Sequence, residues 1–436
     1  MGRVAPGRAR PLRLTIASLV VAMILSSCGG GGGGSGDEST GKAADTGATI
    51  TMWTRSATEA ASRRLVDKYN ATHKNQVKLT PIPTDNYQPR IAAAAGAKNL
   101  PDVFAADVIF MPQYTSKGLF LDITDRIDAL PFKDHLAPSH IELGTYQGRK
   151  YGLPHTLDLS VLFYNKVLYE KAGLDPEKPP TTLKEFADHA RTIREKVGGD
   201  VYGTFWGGSC GGCYVFTYWP SIWAGGGEVM NKDGSQSTID SPQSVAVFNT
   251  YNQLWHEGVV PASAKDERGP TWTGVFPKGT IGVMPMPSTT LGAMPDNAKV
   301  KVGVAPIPGP DGGESTFVGG DSIGISATSK QPDQAWDFIS WTVSDEAQVE
   351  VLAKNKDVLA RPDLANNKYS KEDPRVVLIN EMVGKGRTPY ALNFGQTYND
   401  PNGPWIPVAR DAVFGPDAAK ALKDGAPKIT ESLGQS

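Results

Sequence analysis

From Thr49 to Asp107 the chain alternates between short strand-like runs and helical stretches, and this rhythm limits the fold more than any other feature. Thr49 to Trp53 reads as a strand, and Ala57 to Tyr69 as a helix with Ala61, Leu65, Val66 and Tyr69 on one face. Val77 to Pro83 is strand-like again, Tyr87 to Ala97 helical, and Asp102 to Asp107 strand-like. Units of this kind build a mainly parallel sheet covered by helices, so the class is α/β. Such sheets hold ligands beyond the carboxyl ends of their strands. Trp53-Thr54-Arg55-Ser56 and Ala106-Asp107-Val108 fall at those ends, which makes Trp53, Arg55 and Asp107 candidate ligand contacts.

Three more helices are legible further on. Thr182-Leu-Lys-Glu185 is a capping box, followed by Leu183, Phe186, Ala187, Ala190, Ile193 and Val197 at helical spacing. Ser241-Pro242 opens another helix, with Val245, Phe248 and Trp255 inward and Gly258 as its stop. Ala335, Trp336, Ile339 and Val343 mark the third. No internal repeat is present.

The first 27 residues read as an export signal. Arg3, Arg8, Arg10 and Arg13 precede an apolar run from Leu14 to Leu25, which is too short to span a bilayer comfortably. Leu25-Ser-Ser-Cys28 then resembles the lipobox of bacterial lipoproteins, in which the cysteine takes a diacylglycerol and becomes the first residue. The other readings are an ordinary signal peptide with a stray cysteine and a twin-arginine signal; no two of these arginines are adjacent. A lipid on Cys28 makes sense of the glycine run that follows, since Gly29 to Gly36 is a flexible tether for a body above the membrane. Disorder is expected up to about Thr46. Gly36 to Lys42 imitates a phosphate-binding loop, but Ala43 replaces the required Ser or Thr and no strand precedes it.

A mature chain starting at Cys28 keeps 409 of the 436 residues, which suits two lobes better than one core. It keeps 40 of the 44 Lys and Arg against 46 acids, a net charge of about −6. That balance gives no electrostatic case for a nucleic-acid partner.

Four motifs occur in one order: Pro101-Asp-Val-Phe104, Tyr151-Gly-Leu-Pro154, Phe163-Tyr-Asn-Lys166, and Ile323-Gly-Ile-Ser-Ala-Thr-Ser-Lys330. Together they resemble the extracellular solute-binding proteins of ABC importers, in the carbohydrate branch that includes maltose-binding protein. The resemblance covers almost all of the mature chain. It implies a type II periplasmic-binding-protein-like fold of two α/β lobes with ligand in the cleft between them. By similarity, the chain crosses between lobes near Thr156-Leu157-Asp158, near Asp321-Ser322-Ile323 and near Asp373. Lobe one is then 48–156 with 324–373, and lobe two 157–323 with 374–436, after a signal at 1–27 and a tether at 28–47. The implied partners are a sugar or oligosaccharide and the membrane permease of an importer, with a monomeric receptor, no cofactor and no metal. Closure is stabilised by a ligand that touches both lobes.

A sugar site needs flat aromatic platforms and a few charged or amide groups for the hydroxyls. Of nine tryptophans, five lie between positions 206 and 272. Trp255 shares a helix face with Phe248 and reads as core, whereas Trp206, Trp219, Trp223 and Trp272 are candidate platforms. Trp272 is the best of these, in the loop-like Gly269-Pro-Thr-Trp-Thr-Gly274. Among carboxylates, the resemblance places an acidic sugar ligand at the first crossing, where Asp158 stands. Asp85, Asp107 and Asp321 are further candidates, and Gly320 beside Asp321 would let backbone approach a ligand. For each aspartate the competing role is a turn or cap. The six histidines read as structural; His155, beside the crossing, is the one to watch.

Gly207-Gly-Ser-Cys210-Gly-Gly-Cys213 admits three readings. A structural disulfide fits an oxidising compartment, since a lipidated Cys28 leaves just this pair. Thiol redox chemistry wants the first cysteine at a helix start, and Gly211-Gly212 is a poor helix opening. Gly207-Gly-Ser209-Cys-Gly211 also fits the nucleophile elbow of a serine hydrolase, with His256 as the sole histidine downstream. The first reading is preferred, and the chain is read as a binding protein with no catalytic residue.

Overall fold

The computed structural model describes Gly2 and residues 43–435, except Pro270 and Asp296. Cys28, the glycine run and the phosphate-loop mimic lie outside the described residues.

The main sheet contains β1 (Thr49–Arg55), β2 (Gln76–Ile82), β3 (Val103–Asp107), β4 (Leu153–Asn165), β5 (Val283–Pro287), β6 (Val302–Ala305) and β7 (Val318–Ile325). Their order is β2–β1–β3–β7–β4–β5, with β6 also on β4. Pairing is parallel in β2–β1–β3, where helices return the chain to the same edge. It is antiparallel wherever β7 or β4 takes part. The expected parallel rhythm therefore holds for the first three strands and gives way where the chain runs out along β4 and back along β7.

Strand β4 carries the architecture. Its first half, Leu153–Leu159, pairs with β7; its second half, Ser160–Asn165, pairs with β5 and β6. One strand of 13 residues thus belongs to both ends of the sheet, and 12 of the 13 are buried. It is buried on both faces, with the polar side chains of His155, Thr156, Ser160 and Asn165 included. The exception is Asp158, at the midpoint.

Helices α1 (Glu59–Thr72) and α2 (Thr84–Gly96) return the chain between the first strands. Leu65, Val66 and Tyr69 of α1 are buried as their spacing predicts. In α3 (Leu183–Val197) the Thr182 hydroxyl accepts from the Glu185 amide at 3.0 Å, while the Glu185 carboxylate reaches back to the Thr181 amide at 2.7 Å. The capping box thus closes one residue earlier than its pattern implies.

Two expectations need correcting. Chain order begins before Thr46, because Asn75 Nδ2 donates to the Ala44 carbonyl at 2.8 Å and the Asn75 amide donates to Asp45 Oδ1 at 2.6 Å. Moreover, Gly211-Gly212 does open a helix, α4 (Gly211–Ala224), with Cys210 as its cap. Gly211 is needed for packing: a Cβ there would stand 1.9 Å from the Tyr398 carbonyl oxygen. Eleven of the 14 residues of α4 are buried. Around it pack α5 (Pro242–His256) and α7 (Trp405–Phe414), with α8 (Ala418–Leu433) against both α5 and α7; α6 (Pro332–Thr342) packs against β7.

Candidate functional site

Asp158 stands where two adjoining cavities meet. One measures about 870 Å³ and the other about 560 Å³, and Ala57, Asp158, Thr289 and Ala293 line both. Both volumes suit a small-molecule site. The smaller cavity is walled by the end of β1, the start of α1, the 352–358 segment and Phe216 of α4. The 352–358 segment is held against β4 by an antiparallel bridge between Leu157 and Val358.

The Asp158 carboxylate has uncharged partners. It accepts from the Ser288 hydroxyl at 3.0 Å, and from the Thr289 amide and hydroxyl at 3.1 Å each. Burial raises its pKa to about 6, against these hydrogen bonds, which favour the charged form. A carboxylate placed this way can still accept from hydroxyls of a bound molecule, since it has lone pairs to spare and is bonded by no cation among the described residues.

Arg55 and Asp107 also line the smaller cavity, but they are engaged with each other. Arg55 Nη1 lies 2.9 Å from Asp107 Oδ2, and its Nε donates to Asp321 Oδ1 at 2.9 Å. Thr58 donates to the other Asp321 oxygen at 2.5 Å. Burial works against the guanidinium charge, and the two aspartates more than offset it, so the Arg55 pKa is raised. Burial also raises Asp107, with Arg55 pulling it back.

Asp321 is fully buried, as the internal counter-ion of Arg55. That corrects its expected place among the ligand contacts. Gly320 does line the cavity, but its φ of +106° and a Cβ position 2.0 Å from the Thr156 carbonyl show a glycine required by the β7–β4 contact. Trp53 lies beneath Arg90 of α2, 5.1 Å from ring centre to guanidinium carbon, and is not among the residues lining the cavities. The Asp85 side chain lies outside the described residues.

The tryptophans divide unequally. Trp206 is buried against Tyr218 and Tyr251, and Trp219 against Tyr398 and Trp405, so both are core and not platforms. Trp223 lines a separate cavity. Trp272 is 5% exposed and stands edge-on behind Phe216, centroids 6.3 Å apart. The aromatic side chain on the site is Phe216 itself, which the sequence offers, with Tyr214 and Tyr218, only as part of the aromatic region around the tryptophans and not as a platform. Its position three residues after Cys213, on an apolar helix, was the available signal. Thr289 was also missed; nothing local marks it.

Cys210 and Cys213 are paired, with Cα atoms 5.2 Å apart. The Cys210 sulfur accepts from the Cys213 amide at 3.1 Å, so the pair caps α4. Gly269 fits over it: a Cβ there would meet the Cys210 sulfur at 3.1 Å. The pair at the start of the Phe216 helix therefore packs against the loop bearing Trp272. Ser209 accepts from Arg410, and His256 faces the Gly415 carbonyl at 3.0 Å. His155 is buried, 2.9 Å from the Ser62 hydroxyl, and burial lowers its pKa to about 4.

The family profile described as bacterial extracellular solute-binding protein matches residues 54–349. The chain belongs to that family, whose members are binding proteins that act outside the cytoplasm. It is similar to the diacetylchitobiose-binding protein DasA of Streptomyces coelicolor, 26% identical over 407 residues, covering 89% of this chain and 92% of that one. It is also similar to the galactooligosaccharide-binding protein of Bacillus subtilis, 22% identical over 80% of each chain. Among solved structures, the cyclic α-maltosyl-1,6-maltose binding protein of Arthrobacter globiformis superposes with a TM-score of 0.77 at 22% identity, over 89% of this chain and 99% of that one. The fold is the two-lobed, maltose-binding-protein-like type.

Proposed function

We propose that this chain is the sugar or oligosaccharide receptor of an ABC importer. Ligand binds at Asp158 and is passed to the membrane permease when the cleft closes. The observation that carries this reading is Asp158: the one residue of β4 that is only partly buried, with hydroxyl and amide partners and an aromatic ring among the cavity walls. A carboxylate beside a flat apolar face is what a pyranose requires. The sugar-binding relatives support it. The proposed hinge lies at the Thr156–Asp158 and Asp321–Ile323 crossings, with a third near Asp373, and the lobes are as delimited above. Asp107 and Arg55 shape the cleft floor, and Gly320 its wall.

In this reading Cys28 carries a lipid, the glycine run is a tether on the outer face of the membrane, and the receptor acts as a monomer. The Cys210–Cys213 pair is a structural clasp for the Phe216 helix, and the protein catalyses nothing.

The test is thermal unfolding of the refolded, ligand-stripped protein with chito-, galacto- and malto-oligosaccharides. A ligand at a hundred times its dissociation constant adds about 2.7 kcal/mol of stability, a plain shift in the melting midpoint. A shift with one sugar series supports the proposal. No shift with any sugar, and a shift with a polyol or a peptide, would overturn it.

A further inference from the structure

A third cavity, of about 560 Å³, shares no lining residue with the cleft. Its walls come from residues 138–142, 223–238 and 386–390. Trp223, Tyr390 and Pro138 supply flat or apolar surface; Glu142, Glu228 and Arg387 supply charged acceptors and donors. One of the tryptophans expected in the cleft is therefore here, beside two carboxylates, a guanidinium and the Lys232 ammonium.

Trp223 and the 386–388 segment are held by packing and by backbone bonds. Trp223 stacks on Phe317 with planes 16° apart and centroids 6.5 Å apart. The 386–388 segment is bonded to the start of β7: the Arg387 amide donates to Thr316, and the Val318 amide to the Arg387 carbonyl, both at 3.0 Å. Gly386 lies so close that a Cβ would stand 2.1 Å from a Val318 methyl carbon. Arg387 Nη1 is 2.6 Å from Glu228 Oε1 at the rim, where a charged pair can meet neighbouring hydroxyls as donor and acceptor. A pre-formed pocket of this size, with a flat wall and a few convergent polar groups, suits a small polyhydroxylated ring.

We infer that this cavity is a second, weaker site for a mono- or disaccharide, separate from the cleft at Asp158. The site stands on its own walls, although the choice of sugar rests on the proposed function. The test is calorimetric titration of the full chain with mono- and disaccharides, for the wild type and three variants. Two binding steps are expected for at least one sugar. Tyr390→Ala and Glu142→Gln each weaken the weaker step about tenfold and leave the tighter one within about twofold. Asp158→Asn does the reverse. A single step for every sugar up to about 10 mM overturns the inference, as does a weaker step that both Tyr390→Ala and Glu142→Gln leave unchanged. A tighter step that ignores Asp158→Asn counts against the cleft reading alone, and the second site still stands if the weaker step obeys Tyr390.

Discussion

Asp158 and Asp321 stand on paired strands, and both have the look of sugar ligands in the sequence. Their partners separate them. Asp321 faces Arg55, bonded through Nε at 2.9 Å and through Nη2, and has no exposed surface. Asp158 faces hydroxyls and an amide, and its strand leaves it partly open to the cleft. A carboxylate whose charge is neutralised inside the protein holds the fold. One whose charge is left to hydroxyls keeps capacity for a ligand.

The comparison breaks first at Asp321. Asp321→Ala leaves the Arg55 guanidinium beside a single acid, Asp107. Removing one partner of a buried pair costs about 3–5 kcal/mol, so denaturant titration should show a large drop in midpoint. Arg55→Met combined with Asp321→Leu should recover part of it, because no uncompensated charge remains. A loss below about 1 kcal/mol for Asp321→Ala would make it a surface-type ion pair and erase the contrast. Asp158→Ala should do the opposite: folding is retained, and sugar affinity falls at least tenfold, as expected for about 1.5–3 kcal/mol in a charged hydrogen bond. Unchanged affinity by calorimetry would remove Asp158 from the site.

The difference between the two acids was only half legible in the sequence. Periodicity places the first three strands and the buried faces of α1 and α3, since those depend on neighbours within a turn or two. The crossing at Asp158 was reached through resemblance to a family, not through spacing. Nothing local pairs Asp321 with Arg55, which is 266 residues away. The tryptophans misled for a similar reason. Burial of Trp206 and Trp219 is decided by Tyr251, Tyr398 and Trp405, contributed by distant helices. The glycines before Cys213 were read as helix breakers, whereas Gly211 is where the Tyr398 carbonyl has to fit.

The Cys210–Cys213 pair tests whether the aromatic wall of the site depends on its clasp. Cross-linking so short a loop gains about 2 kcal/mol at most. Cys210→Ser with Cys213→Ser should therefore lower stability by about that amount. If the clasp also fixes Phe216, the double variant binds sugar more weakly while Asp158 is unchanged. Wild-type affinity in the double variant would reduce the disulfide to a cap on α4.

The smallest expected effect is the sharpest test of Asp158, because it changes no residue. Burial raises this carboxyl from 3.8 to about 6. For folding alone, a raised carboxyl pKa opposes stability as pH climbs from 3.8 to about 6, and the penalty is constant above that. For binding, the charged form is the acceptor, and sugars do not titrate in this range. Affinity should be nearly flat above pH 7 and fall about tenfold between pH 7 and pH 5, as the ionised fraction falls. His155 does not interfere, since burial holds its pKa near about 4 and it stays neutral throughout. Calorimetry from pH 5 to 8 reads the slope directly. Asp158→Asn should flatten it, and a slope that survives in Asp158→Asn would assign the titration to another group and leave Asp158 as a neutral spacer in the cleft.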